Sequence, residues 1–412
     1  KDVYKRPGLN MGDFHKAETI STLHRLKKDN VEQLEEQLNE FSEHRPIALV
    51  LPCLYSELQR VALKNILENL KDVTYLNEII ITIGRANKDE FKHAQEYFSI
   101  LPQNYKLIWD DGERIQSLFN LLKENGLDVG ERGKGRAAWI AYGYVLAREE
   151  SEVIALHDCD VLTYNRELLA RLCYPLANPN MDYEFCKGYY LRVTDRLYGR
   201  VTRLFISPII RALKKIVGHM TSLIYLDSFR YPLAGEFSMK ADLARINRIP
   251  ADWGLEVGSL AEVFRNVSMK RICQVDLADN YEHKHQDVSA HDADSGLLKM
   301  CTDISTSLFT TLSSEGVQFS ESLFNTLYVT YLRIAQDAIK MYNDDAAING
   351  LFFDRHAEGL AVETFVQGIR IASQKFLEDP LGSPLIPNWS RVTSAIPDFL
   401  DQLELAVEED NA

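Results

Sequence analysis

The sequence predicts an α/β fold built on a parallel sheet, and three observations lead there. Over residues 47–160 short apolar runs alternate with stretches whose apolar positions recur at helical spacing. That alternation is the mark of strand–helix–strand units, because parallel strands need a crossover that is usually helical. Each apolar run closes on Pro, Gly or acidic residues, as buried strands do at the edge of a sheet. A hydrophobic content of 46% in 412 residues excludes a disordered chain and allows a sizeable core.

The elements follow in order. After a polar start, residues 13–42 read as helical, with apolar positions on one face. IALVLP (47–52) reads as a buried strand, 58–70 as a helix, and EIIITIG (78–84) as a second strand closed by Gly. A helix over 87–99, a strand at 105–111 and a helix over 114–126 continue the pattern. Residues 135–150 predict a strongly amphipathic helix, and SEVIALHDCD (151–160) a strand running into acidic residues. Beyond residue 180 the pattern loosens, then becomes mostly helical from 297 to 375, with a last short helix near 393–406. The expected organisation is an N-terminal helical segment (1–45), an α/β catalytic domain (46–295) and a C-terminal helical region (296–412).

Composition removes several function classes. Lys and Arg total 46 against 60 Asp and Glu, a formal charge of −14. Such a chain is a poor general binder of nucleic acid or anionic membrane, so neither partner is expected. No apolar run approaches the roughly 18 residues of a membrane span, and the first residues lack the apolar core of a signal peptide. The six cysteines are scattered with no CxxC, which suggests buried free thiols and a cytoplasmic location.

Four segments could carry chemistry. In His157-Asp158-Cys159-Asp160, strand alternation points both carboxylates to one side. They stand at the carboxyl end of a parallel strand, where open α/β sheets bind ligands. Two carboxylates there either hold a hard divalent cation against phosphates or are simply solvated. Gly130-Glu131-Arg132-Gly133-Lys134-Gly135 opens the helix after it; it is neither a P-loop nor a good dinucleotide fingerprint. Glycines at a helix start with a lysine suit a diphosphate, or form a plain surface loop. Residues 198–215 hold five basic residues and no acids. They make an anion pocket, a basic helix at a membrane surface, or a solvated face. Tyr281-Glu282-His283-Lys284-His285-Gln286 offers imidazoles that could ligate Mn2+ or a similar ion, or be ordinary polar surface.

Taken together, LVLPCLYSE (49–57), GERGKGRAAW (130–139), ALHDCDVLTY (155–164), GRVTRL (199–204), YPLAGEF (231–237), WGLEVG (253–258) and YEHKHQ (281–286) resemble the glucosyl-3-phosphoglycerate synthases. These are retaining glycosyltransferases of the GT-A fold, a Rossmann-like nucleotide-sugar domain, and the resemblance runs from about 47 to 290. It implies that Pro52, Leu54 and Glu57 border the nucleotide and that Lys134 contacts its diphosphate. Asp158 and Asp160 would be the DxD pair, with Asp160 and His283 binding Mg2+ or Mn2+. Arg200, Val201 and Thr202 would receive 3-phosphoglycerate, Glu236 the donor-sugar hydroxyls, and Glu256 the sugar and acceptor side. Asp158, Asp160, Glu236 and Glu256 are thus the expected catalytic set, and a homodimer is expected as in the family.

Three departures stand out. The first strand reads Pro52-Cys53-Leu54-Tyr55-Ser56-Glu57 where the family has Pro-Ala-Leu-Asn-Glu-Glu. The second ends in Thr82-Ile83-Gly84-Arg85 without the usual Asp, which leaves UDP or GDP open. His285 stands where an Asn helps hold the acceptor phosphate. Alternatives within the class are a mannose donor, free glycerate or a polyprenyl phosphate acceptor. A different class is a non-catalytic sugar-nucleotide-binding protein. A DxD phosphohydrolase is disfavoured, because its nucleophilic Asp should open the first strand and IALVLP has none.

Overall fold

A computed structural model describes residues 19–27, 30–282, 296–382 and 385–412. Strands β1 (Ser21–Leu23), β2 (Ile47–Leu54), β3 (Leu76–Gly84), β4 (Tyr105–Trp109), β5 (Val153–Leu156), β6 (Phe185–Tyr190), β7 (Phe237–Lys240) and β8 (Ile272–Ala278) form one sheet. Their order is β1-β8-β6-β7-β5-β2-β3-β4. All neighbours run parallel except the pairs that β7 makes with β5 and β6. The chain leaves β2 outward through β3 and β4, then returns to lay β5 on the other side of β2. The carboxyl ends of β2 and β5 therefore flank the point where strand order reverses, the place where such sheets open a ligand crevice.

Alternation along β2 explains the two layers. Ile47, Leu49 and Leu51 join one apolar cluster with helices Val61–Leu70, Lys88–Phe98 and Arg166–Ala177. Ala48 and Val50 join the other, with helices Glu113–Glu124, Lys134–Arg148, Ser207–Val217 and Leu255–Asn266. A strand covered on both faces reads as an unbroken apolar run, which is why IALVLP and EIIITI were recognisable.

Helices Gly296–Ser314, Glu321–Ile348, Arg355–Glu378, Trp389–Ala395 and Phe399–Asn411 add their apolar residues to that second cluster. Trp389 stacks on Trp139 at 4.0 Å, and a Cβ on Gly143 would collide with the Trp389 ring. Tyr144 donates to Glu408 at 2.6 Å, and Arg114 pairs with Asp410 at 2.6 Å.

Two expectations need correction. Residues 21–23 form a strand rather than the start of a helix, and the helix spans only Val31–Ser42. Pairing with β8, reinforced by Gln274 Nε2 donating to Thr22 Oγ1 at 2.9 Å, outweighs the local helical spacing. Lys134–Arg148 is not amphipathic. It is buried nearly all round, from Gly135 to Leu146, because it lies between the sheet and the C-terminal helices. All six cysteines are buried and unpaired. Among the described residues no helix is long and apolar enough to cross a membrane.

Candidate active site

β5 ends at Leu156, its ladder to β2 closing with the Val50–Leu156 pair, while β2 runs on to Leu54. His157, Asp158 and Asp160 follow in the gap so opened. His157 is fully buried and donates from Nδ1 to the Asp158 carbonyl at 3.0 Å; burial lowers its pKa to about 4 and keeps the ring neutral. Asp158 receives the Lys134 ammonium at 2.6 Å, and the same nitrogen reaches Glu256 Oε1 at 3.1 Å. Burial works against the Lys134 charge, but Asp158 and Glu256 outweigh it and hold the ammonium well above its ordinary range.

Asp160 behaves differently. Burial, and then the like charge of Asp158, push its carboxyl up to about 7, with Glu57 and Glu236 adding to the effect. Glu236 is fully buried, and Tyr281 donates to its Oε1. Burial and Asp158 raise its pKa too. Lys134, with the buried Lys187 also in electrostatic reach, thus faces four clustered carboxyl groups, Asp158, Asp160, Glu236 and Glu256. A hard divalent cation fits that donor set. Among the described residues no three acidic, histidine or cysteine side chains already converge as a metal cluster. The expected ligand His283 lies outside the described residues, as does His285. The chain leading to His283 is tied to the loop after Asp160: Leu162 N–H bonds the Glu282 carbonyl at 2.7 Å, and Glu282 N–H bonds Thr163 Oγ1 at 3.0 Å.

Close approach explains several glycines. A Cβ on Gly235 would collide with the Asp158 carboxylate, so this residue makes room for it beside Glu236. Cβ atoms on Gly133 and Gly135 would strike the Ala251 and Pro250 carbonyls. Those two glycines let the chain at 250–254 pass close enough for Glu256 to reach Lys134. This differs from the expected role, a backbone left open to a diphosphate.

Pro52 and Leu54 stand at the exposed end of β2, with Leu54 41% exposed. Glu57 is buried in the following 3₁₀ turn and pairs with Arg60 at 3.2 Å. Where β3 lacks an Asp, β4 supplies carboxylates: Asp111 accepts from Ala86 N–H at 3.0 Å, and Asp110 accepts from Arg136 at 3.1 Å.

The basic stretch is not a row of free cations. Arg200 donates to Glu358 Oε1 at 3.0 Å, and buried Arg203 reaches Glu358 Oε2 at 3.2 Å. Arg211 and Lys214 both pair with Asp227. Val201–Ile206 winds as a π-helix, a widened turn often found at functional sites, with Thr202 buried and its hydroxyl unpartnered. Helix Ser207–Val217 buries Ile209, Ile210 and Leu213 in the core, so its apolar face is not available to a membrane. Arg200, Val201 and Thr202 thus lie at the start of a structured segment in which four basic residues share two carboxylates, so it keeps a positive balance.

Sequence reasoning missed Lys187 and the Tyr190–Tyr281 stack. Lys187 is 1% exposed on β6, its ammonium 5.1 Å from the Phe237 ring centroid. Burial lowers its pKa to about 8. A lysine inside the apolar strand FCKGYY was the signal available. Tyr190 and Tyr281 stack at 3.6 Å, and the tyrosine before the histidine motif was the clue passed over.

No protein-family model matches the chain. Among solved structures, glucosyl-3-phosphoglycerate synthase of Mycobacterium tuberculosis in complex with phosphoglyceric acid superposes with a TM-score of 0.51 at 20% identity. The match covers 73% of this chain and 90% of that one. The same protein has been solved with Mn2+, UDP-glucose and phosphoglyceric acid, and with Mn2+, UDP-glucose and glycerol 3-phosphate. Sheet order and this likeness show the GT-A fold. The glucosyl-3-phosphoglycerate synthase of Persephonella marina is 48% identical over 98% of this chain and 100% of its own length. That of Methanococcoides burtonii is 40% identical over 95% and 96%. The chain belongs to the glucosyl-3-phosphoglycerate synthase family.

Proposed function

We propose that this glycosyltransferase moves glucose from UDP- or GDP-glucose to 3-phosphoglycerate, with retention of configuration, giving glucosyl-3-phosphoglycerate. The observation that carries the reading is the Lys134–Asp158 pair beside Asp160 at the β2/β5 switch point. A nucleoside diphosphate cannot depart into so acidic a crevice unless its charge is offset. Mg2+ or Mn2+, held by Asp160 and His283 with Asp158 beside them, would supply that offset as a Lewis acid. The chain's own groups do the rest. Lys134 moves between Asp158 and the diphosphate oxygens, and Pro52, Leu54 and Glu57 border the nucleotide. Glu236, fixed by Tyr281, accepts from sugar hydroxyls. Glu256 lines the sugar and acceptor side, while Arg200, Val201, Thr202 and His285 receive the acceptor. The leaving phosphate itself assists attack on the same face of the sugar. The active form is proposed to be a homodimer.

The test is a screen of UDP- and GDP-linked glucose and mannose with Mg2+ or Mn2+, with and without 3-phosphoglycerate and glycerate. Release of the nucleoside diphosphate that depends on 3-phosphoglycerate and a glucose donor is expected. Equal release with free glycerate, or none with any donor, would overturn the reading.

A further inference from the structure

Among the described residues, Arg192 lies near the proposed acceptor loop without a carboxylate partner. After β6 the chain doubles back: Val193 and Leu197 pair antiparallel, and Tyr198 N–H bonds the Arg192 carbonyl at 2.8 Å. That hairpin brings the Arg192 backbone beside Tyr198, and both Arg192 and Gly199 approach the Tyr231 hydroxyl. Neighbouring arginines are paired, Arg196 with Asp195 and both Arg200 and Arg203 with Glu358. Arg192 has no carboxylate partner among the described residues. Its Nη1 makes one long contact to the Tyr231 hydroxyl at 3.4 Å, and its Nε is buried with no acceptor. A guanidinium does not shed its proton, so the buried donor stays charged and unsatisfied. Such an arrangement is costly to the free protein and is relieved by a ligand that brings the missing anion.

The surroundings say where that anion sits. Gly199 has φ 70°, and a Cβ on it would lie 3.2 Å from the Tyr231 hydroxyl, so its absence keeps the space between Tyr231 and Arg200 open. The Tyr231 ring lies 4.8 Å from Tyr190, which stacks on Tyr281, whose hydroxyl donates to Glu236. An aromatic wall therefore runs from Arg192 to the carboxylate assigned to the donor sugar. In 3-phosphoglycerate the carboxylate is attached to the carbon that bears the attacking hydroxyl, and the phosphate is one carbon further on. Its partner must reach the carbon that faces the donor sugar, and Arg192 contacts Tyr231 at one end of the aromatic wall that leads there. Resting on the proposed function, we infer that Arg192 receives the acceptor's carboxylate and is the residue that selects a phosphorylated hydroxy acid over a phosphorylated polyol.

The test compares 3-phosphoglycerate with glycerol 3-phosphate, which keeps the phosphate and central hydroxyl but lacks the carboxylate. Dissociation constants by titration calorimetry, and kinetic constants with each compound as substrate or competitive inhibitor, are measured for wild type and Arg192→Gln. Loss of a charged hydrogen-bonded pair should weaken 3-phosphoglycerate by about 10- to 100-fold. Glycerol 3-phosphate should change by less than about threefold, since it makes no such pair. Equal losses for both would reduce Arg192 to a structural role and overturn the assignment, as would unchanged 3-phosphoglycerate binding. Should the glutamine variant not fold, Arg192→Lys carries the same comparison, with a selective loss expected because the fork is gone. Wild type that binds 3-phosphoglycerate but transfers no sugar to it would defeat the proposed function, while the binding ratio still judges Arg192.

Discussion

Lys134 divides its ammonium between Asp158 and Glu256. Replacing it by Met takes the ammonium away from Asp158 and Glu256 and removes the donor proposed for the departing diphosphate. We expect kcat to fall by roughly 10²- to 10³-fold, the usual cost of one preorganised donor, when followed by steady-state kinetics at saturating donor. Lys187 supplies a different residue-scale test. Its pKa is about 8 in the folded chain against an ordinary 10.5, lowered by burial. Between those two values the unfolded chain holds the extra proton, so folding stability contributed by this site rises with pH. Below pH 8 the buried charge exerts its full cost. Wild type should therefore gain stability relative to Lys187→Met from pH 8 to 10 by about 1–3 kcal/mol, read as the difference between paired urea denaturation curves. A flat difference would mean that the ammonium is neutral or solvated throughout.

At the scale of elements, helix Arg355–Glu378 supports the proposed acceptor loop from a distance in sequence. Glu358, 4% exposed, holds both Arg200 and the buried Arg203, and Arg203 also lies over the Tyr342 ring. Glu358→Ala strands Arg203 without its partner, and a loss of about 3–5 kcal/mol is expected by chemical denaturation. The acceptor KM should rise with it while the donor KM moves little, because Arg200 loses its anchor. The bond between Phe352 N–H and the Asp195 carbonyl, 2.9 Å, and the packing of Arg196 over the Phe352 ring point the same way. None of this was legible in the sequence. Local patterns revealed β2 and β3 as unbroken apolar runs and singled out the Asp158–Asp160 pair, although that pair lies past the end of β5 at Leu156 and not within a strand reaching 160. The partner of the basic stretch lies in a helix that begins at residue 355, beyond any window of local spacing. β1 escaped for the same reason, as three residues become a strand only when β8 is beside them. Gly133 and Gly135 were noticed, but their meaning lay in the backbone at 250–251 that passes against them.

Over the whole molecule, one apolar cluster runs from β2 and β5 through helix Lys134–Arg148 into the C-terminal helices. The stacked Trp139 and Trp389 sit on either side of that junction. Full-length protein should therefore lose tryptophan fluorescence and far-UV dichroism in coincident transitions; separate midpoints would mean two units that unfold independently. The same continuity fixes the crevice between β2 and β5, on which the account of catalysis depends. Its most direct test is proton NMR of the sugar during turnover of a nucleotide-glucose with 3-phosphoglycerate and Mg2+. One new α-anomeric signal is expected to grow with wild type, to stop on chelation of the metal and to be absent with Asp160→Asn. A β-anomeric product, or undiminished turnover in Asp160→Asn, would contradict it.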